Sequence, residues 1–302
     1  MTGGLARDVR LERIAVALDD PGPPQPVSRP RPSPTVDQRP KRISVTSVDR
    51  LKADPFAFYA QAVLGLRQLD SVDADHTAAW KGSAVHEVLE KWLAEDDCDP
   101  EKLLARARSL LAGETIHPML RALWSPRLME AIGWVAGEER VNRAEGRRPI
   151  AAERKGEATI GGISLDGRAD RIDRLADGRL AIIDYKTGKA PAQKAVDAGF
   201  ALQLGLLGLI VRAGGFGDIQ GEPVAHEYWS LAKHGAAFGK RSSPDKEMGA
   251  SDFLAHAEAN FREAAEKWLV GTEPFTAKLN PAFAPYGDYD QLMRLEEWYG
   301  RE

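Results

Sequence analysis

The 302-residue chain reads as a mixed α/β protein, a small mixed β-sheet flanked by helices and preceded by a helical portion. Three observations predict this class. Apolar residues recur at helical spacing over most of residues 45–145. After Pro149 the pattern alternates with period two through runs separated by Gly161-Gly162 and Asp177-Gly178. Beyond Ala192, helix and strand patterns follow one another without the repeated strand–helix units of a regular parallel fold.

Taken in order, residues 5–18 form a short amphipathic piece with no core of its own. Residues 21–40 carry eight prolines, which forbid a helix or an interior strand and read as an extended spacer. A spacer leading from so little suggests a chain cut out of something longer, and the folded region is expected to begin near Ile43. Thr46 or Ser47 caps a helix through Leu51, and Asp54-Pro55 caps and starts another through Leu64. Ala78–Glu95, Pro100–Ala112 and Met119–Glu145 show helical periodicity. Glu157–Ile160, Ile163–Leu175 and Arg179–Lys186 read as three strands joined by tight turns. A helix near Ala192–Arg212, a strand near Val224–Leu231 and a helix near Asp252–Val270 complete the chain.

Composition excludes several classes. The hydrophobic fraction of 43% with 28% charged residues is that of a globular protein, and no apolar run has the length of a membrane span. The charged N-terminus lacks the apolar core of a secretory signal, so no membrane association is expected and a cytoplasmic location is the default. A single cysteine, Cys98, permits no internal disulfide, no cysteine-rich zinc site and no iron–sulfur cluster. It sits among Glu95, Asp96, Asp97 and Asp99, which disfavour its thiolate. The net charge of −4 excludes a generally basic nucleic-acid coat, so any nucleic-acid contact must come from a local patch or a metal-centred cleft.

The chemistry concentrates in residues 170–186. In the strand Leu180–Lys186, side-chain alternation puts Asp184 and Lys186 on the face of Leu180 and Ile182, with Ala181, Ile183 and Tyr185 opposite. Apolar residues on both faces make this a central strand, yet it ends in a carboxylate and an ammonium. If the preceding loop is Ala176-Asp177-Gly178, residue 175 pairs with 179 and Asp170 falls opposite Asp184. Directly opposed side chains have Cβ atoms about 4.5–5.5 Å apart. Two ionised carboxylates at that distance repel unless one is protonated or a cation lies between them. A hard divalent ion such as Mg²⁺ satisfies both, and Lys186 beside it can orient water or stabilise charge on a phosphate. The blander alternative is that Arg168, Arg171, Arg174 or Lys186 neutralises these acids. Ile163, Leu165 and Ala169 share one face of their strand but Ile172 lies on the other, which calls for a bulge.

Gly82-Ser83-Ala84-Val85-His86-Glu87-Val88-Leu89-Glu90, Gly167-Arg168-Ala169-Asp170-Arg171-Ile172-Asp173 and Ile183-Asp184-Tyr185-Lys186-Thr187-Gly188 together resemble the RecB-type PD-(D/E)XK nucleases. The resemblance covers most of residues 40–302 and implies a restriction-endonuclease-like sheet and Mg²⁺- or Mn²⁺-dependent hydrolysis of DNA. It implies that His86, Asp170, Asp184 and the backbone carbonyl of Tyr185 hold the metal, with Lys186 as the catalytic lysine. Glu153 matches an accessory carboxylate and Gln203 the glutamine of a Q-x-x-x-Y motif, although Leu207 stands where the tyrosine is expected. A narrower resemblance, to the AddB branch of these nucleases, rests on Ser44–Leu51, Asp54–Tyr59, Leu64-Gly65-Leu66 and Gly287–Leu292. It implies an exonuclease module paired with an AddA-like helicase–nuclease subunit in double-strand break repair and recombination. Residues 1–42 would then be the tail of an upstream helicase-like region and 43–302 the nuclease domain. Asp54 occupies a position where many AddB proteins have a cysteine, in keeping with the absence of a cluster. The alternative function is a non-catalytic scaffold that docks AddA and guides DNA.

Other features carry less. His86-Glu87-Val88-Leu89-Glu90 lacks the second histidine of a zinc peptidase helix, and no G-x-x-x-x-G-K-[ST] phosphate loop occurs. His76, His117, His226, His234 and His256 show no ligand spacing. Lys233, Lys240, Arg241 and Lys246 form a modest basic run, readable as a solvated loop or a DNA-backbone contact.

Overall fold

In a computed structural model, residues 8–20, 22, 27–67, 69, 78–112, 118–235 and 237–300 are described, with helical residues 78–81, 110–112 and 118–124 as backbone only. His76 and His117 lie outside the described residues. The element order is α1 (Val9–Asp19), β1 (Arg42–Ser44), α2 (Val45–Ala53), α3 (Pro55–Ala62), α4 (Ala78–Asp96), α5 (Pro100–Ala112), α6 (Pro118–Ala144), β2 (Arg148–Ile160), β3 (Ile163–Arg174) and β4 (Leu180–Lys186). There follow α7 (Gln193–Asp197), α8 (Gln203–Arg212), β5 (Pro223–His234), β6 (Ala237–Ser242), α9 (Ala250–Ala264) and α10 (Leu295–Trp298).

The six strands form one mixed sheet. Strand β4 is central, pairing antiparallel with β3 and parallel with β5, and its residues from Leu180 to Tyr185 are all buried. That two-sided burial is what its apolar composition requires. The hairpin register is the one the three-residue loop dictates: Arg174 faces Leu180, Arg171 faces Ile183, and Leu175 N–H donates to the Arg179 carbonyl. The sheet separates two apolar cores. One joins Leu180 and Ile182 to α2, α8 and α9; the other joins Ala181, Ile183 and Tyr185 to α4, α5 and α6.

Strand β3 changes partner partway along one edge. Ser164–Asp166 lie beside β1, whereas Arg171–Arg174 lie beside β4. Residues 167–170 therefore face a fork where two neighbours diverge. On the other edge β3 pairs with β2, but Glu153 and Asp170 fall between the paired positions Ala152–Arg171 and Arg154–Ala169. Glu153 adopts φ +47°, a left-handed conformation that costs a non-glycine residue in a strand about 1–3 kcal/mol. The core face changes parity at this irregularity, so Ala169 and Ile172 enter the same cluster with no register slip in this stretch.

Several elements differ from the sequence reading. The first strand of the sheet hairpin begins at Arg148 rather than Glu157; β2 is an edge strand, and a register shift between Pro149 and Ala151 accommodates the proline. The single helix expected over 192–212 is two, because Gly199 takes φ +75° and closes α7, with Phe200 N–H reaching the Ala195 carbonyl. Most of the basic run is strand: Lys233 belongs to β5 and Lys240 and Arg241 to β6, and Arg241 donates to Glu227 at 2.6 Å. The proline-rich stretch is extended but lies against the body. Phe275 and Ala277 N–H groups donate to the Pro32 and Pro30 carbonyls, and buried Arg39 donates to Trp268 and Glu273 carbonyls.

Candidate metal centre

Each group at the fork arrives from a different element. Asp170 comes from β3, Asp184 and Lys186 from the end of β4, Glu153 from β2, His86 from α4 and Gln203 from the first turn of α8. Strand β4 keeps its partner β5 through Lys186 but loses β3 after Ile183, which opens Asp184 and Lys186 toward the fork. The alternation of β4 puts these two on the α8 face. The Tyr185 side chain goes to the opposite core, and its backbone groups remain at the site.

His86, Glu153 and Asp170 each offer a ligand atom, and these atoms lie within 4.8 Å of one another. His86 Nδ1 is 3.0 Å from Glu153 Oε1 and 3.6 Å from Asp170 Oδ1, while Nε2 is 3.1 Å from the Tyr185 carbonyl. Asp170 Oδ2 accepts the Tyr185 N–H at 2.8 Å. Asp184 is held separately: Gln203 Nε2 donates to Oδ1 at 2.6 Å, and Lys186 Nζ is 2.8 Å from Oδ2. Lys186 also donates to Gln203 Oε1 at 3.1 Å, so the glutamine joins the acid to the amine. Thus His86, Glu153, Asp170 and the Tyr185 carbonyl form one group, and Asp184, Lys186 and Gln203 an adjoining one.

The arginine alternative fails for Asp170. Arg171 binds Asp173 and Glu139, Arg174 donates to backbone carbonyls, and Arg168 Nε sits 2.9 Å from Glu153 Oε2. Only the Asp184–Lys186 pairing matches it.

The electrostatics are those of acids crowded out of water. Burial, and then the charge of Asp184, push the Asp170 carboxyl up to about 7. Burial likewise raises Asp184 against the opposing pull of Lys186. At His86, burial favours the neutral ring, but the Glu153 hydrogen bond and the Asp170 and Glu153 charges outweigh it and the pKa rises. Glu153 Oε2 and Asp184 Oδ2 are buried and make no well-formed hydrogen bond, although cations lie close to each. Under-satisfied carboxylate oxygens beside an imidazole and a backbone carbonyl are a hard, oxygen-rich donor set that suits Mg²⁺ or Mn²⁺. A groove of about 430 Å³, with Arg42, Lys155 and Arg168 on its wall, reaches Asp170 and Gln203.

Glu153, expected as an accessory carboxylate, is turned into the cluster by its left-handed backbone. Nothing in the local sequence marks the buried ion network behind the site. There Arg147 bridges Asp173 and Glu227, and Arg171 bridges Asp173 and Glu139 while lying 5.3 Å over the Trp229 ring. Leu207, where the motif expects tyrosine, is fully buried in the core.

The sequence matches the PD-(D/E)XK nuclease superfamily over residues 42–282, more than half of the chain. An uncharacterised protein of Rickettsia conorii is 28% identical over 191 residues, covering 59% of this chain and 23% of the relative. One from Rickettsia bellii is 27% identical over 202 residues, covering 64% and 23%. An ATP-dependent helicase/deoxyribonuclease component of Streptococcus mutans is 28% identical over 160 residues, covering 51% and 14%. The chain thus spans less than a quarter of these relatives. The solved structure of a provisionally assigned exonuclease from Eubacterium rectale superposes with TM-score 0.49 at 13% identity, covering 83% of this chain and 92% of the other. Among the described residues no helix is long and apolar enough to cross a membrane.

Proposed function

Because the chain belongs to the PD-(D/E)XK nuclease superfamily, we propose that it hydrolyses phosphodiester bonds of DNA with Mg²⁺ or Mn²⁺ held at the strand fork. It acts exonucleolytically, as the nuclease module of an AddAB-type helicase–nuclease in double-strand break repair and recombination. The observation that carries this reading is the convergence of His86, Glu153 and Asp170 within 4.8 Å, beside the Asp184–Lys186 pair. A scaffold has no use for three acids crowded at such a fork, where their desolvation and mutual repulsion cost free energy that a bound cation would offset. The helicase partner, an AddA-like protein, is suggested by the name of the Streptococcus mutans relative.

The roles follow from position. His86, Asp170, Asp184 and the Tyr185 carbonyl form the expected ligand set, and Glu153 is placed to join or replace a member through Oε1 or Oε2. A divalent ion bound there supplies Lewis acidity, neutralising phosphate charge and making water a better nucleophile near neutral pH. Lys186, half-open to solvent at 31% side-chain exposure, stabilises negative charge on the phosphate or takes part in aligning the water. Gln203 fixes both Lys186 and Asp184, so the amine cannot swing away from the acid it serves. The Tyr185 N–H holds Asp170 by one oxygen and leaves the other facing His86.

The test is digestion of end-labelled linear duplex and single-stranded DNA with Mg²⁺, with and without the AddA-like partner. Lys186→Ala should slow cutting by roughly a hundred- to ten-thousandfold, the range for loss of one positioned proton-transfer or charge-stabilising group. Asp184→Ala should abolish it without unfolding the chain. Equal cutting by wild type and Asp184→Ala would refute the proposal.

A further inference from the structure

On the side of the site away from the Arg42 groove lies a cavity of about 650 Å³. Its walls are aliphatic and aromatic: Val85 from α4, Leu128 from α6, Leu231 from β5 and Phe238 from β6. Arg127 and Lys233 stand at its mouth, both exposed. No carboxylate lines the cavity, and among the described residues neither cation forms an ion pair. In the Arg42 groove, Arg42 and Arg168 are already engaged by Asp166 and Glu153, which leaves Lys155, and Asp166 and Asp170 also line its wall.

The cavity's lining is next in sequence to the metal centre at two points. Val85 precedes His86 on α4, and Thr187-Gly188, also in the lining, directly follow Lys186. The turn is held in place from β5: the hydroxyl of buried Ser230 donates to the Gly188 carbonyl at 2.7 Å, and Ser230 Oγ lies 2.9 Å from His234 Nε2. A ligand in the cavity therefore sits at a fixed offset from Lys186.

We propose that this cavity receives one unpaired nucleotide of the substrate strand. Its base would lie among Leu128, Leu231 and Phe238, with the neighbouring phosphates at Arg127 and Lys233; this rests on the nuclease reading above. The size falls within the roughly 300–1,000 Å³ of small-ligand sites. Apolar walls with an aromatic ring suit a base face, and unpartnered cations suit a phosphodiester. A base inside a duplex is stacked on both sides and enters only after unstacking, so the cavity selects single strands.

Binding measured in EDTA separates this from catalysis. Fluorescence anisotropy would compare a labelled oligothymidylate of about fifteen nucleotides with a blunt duplex of equal length, long enough for one single-strand site. Wild type should hold the single strand at least about tenfold more tightly. Arg127→Ala/Lys233→Ala should weaken single-strand binding about tenfold and reduce the slope of log affinity against log salt by about 1.4, two contacts at about 0.7 each. Phe238→Ala should weaken it about tenfold with the slope unchanged. Melting temperature and Mn²⁺ affinity should stay unchanged in the double variant, whose side chains are exposed. Equal affinity of wild type for both DNAs, or a double variant with unaltered affinity and slope, would overturn the pocket. If the single strand binds as expected but is never cut with Mg²⁺, the nuclease reading fails and the pocket stands.

Discussion

Replacing Arg171 with methionine perturbs the site from behind without touching it. Arg171 is 1% exposed and donates to Asp173 at 2.6 and 2.9 Å and to Glu139 at 2.6 Å; both acids are 0% exposed. Asp173 keeps Arg147 at 2.6 Å, and Glu139 keeps Arg143 at 2.9 Å. The variant therefore leaves two buried acids sharing two guanidiniums that already serve other partners. Methionine fills most of the volume, so the loss is electrostatic and should be about 3–5 kcal/mol, as for breaking a buried ion pair. With an unfolding slope of about 2 kcal/mol per molar urea, the midpoint should fall by roughly 1.5–2.5 M. Urea titration followed by tryptophan fluorescence reads this directly, since Trp229 stacks beneath Arg171. The control is Arg140→Met: the Arg140–Glu101 pair is 51% and 78% exposed and should cost no more than about 1 kcal/mol. A midpoint shift below roughly 0.5 M for Arg171→Met would mean that the network is solvated and does not fix the sheet.

Three further outcomes are expected. Gly167→Ala places a Cβ 2.8 Å from Leu207 Cδ2 and 2.9 Å from Val45 Cγ1, and should cost about 1–3 kcal/mol by overpacking. Combined with Leu207→Ala it should cost less than the sum of the two single changes, which a double-mutant cycle of unfolding midpoints would measure. Cys98 is 1% exposed, and burial, with Glu139 and Asp173 adding to it, pushes its thiol up to about 12. Iodoacetamide at pH 8 should leave it unmodified in the folded chain and alkylate it in denaturant, as read by mass spectrometry. Metal binding requires an ionised Asp170, whose proton is held up to about 7 in the metal-free site, and a neutral His86, whose pKa is also raised. Since both raised values favour the protonated forms at low pH, Mn²⁺ affinity should weaken as pH falls through about 7, by about tenfold or more per pH unit as one or both protons are displaced. Calorimetry between pH 6 and 8.5 would test the direction; affinity independent of pH would contradict it.

How much was legible in the sequence depended on range. Leu180–Lys186 announced its faces because strand alternation is fixed by covalent geometry, and the observed split of Ile182 and Ile183 between two cores follows it. The register of the β3–β4 hairpin followed from the length of one tight loop, but the pairing ends at Arg171 and Ile183, one position short of Asp170 and Asp184. Gly199 carried a stop signal for α7 that a continuous helical pattern hid. By contrast, nothing local marks Arg171 or Asp173 as buried. Their burial arises from α6, β2, β3 and β5 meeting, and a run such as Asp170-Arg171-Ile172-Asp173 looks like ordinary surface charge until those elements are assembled. Glu153 was obscured in the same way. Its left-handed φ is a property of the β2–β3 irregularity, and no glycine or asparagine stands there to signal it. The docking of the proline-rich stretch also depends on distant partners, Phe275 and Ala277, which supply the N–H groups that prolines lack.

The central claim is a divalent ion at the strand fork. Mn²⁺ soaked into crystals of the metal-free protein would locate it by anomalous scattering. The expected result is a peak about 2.0–2.4 Å from oxygens of Asp170 and of Asp184 or Glu153, from a His86 nitrogen and from the Tyr185 carbonyl. A fork with no peak, and with His86 still bonded to Glu153 at saturating Mn²⁺, would contradict the account.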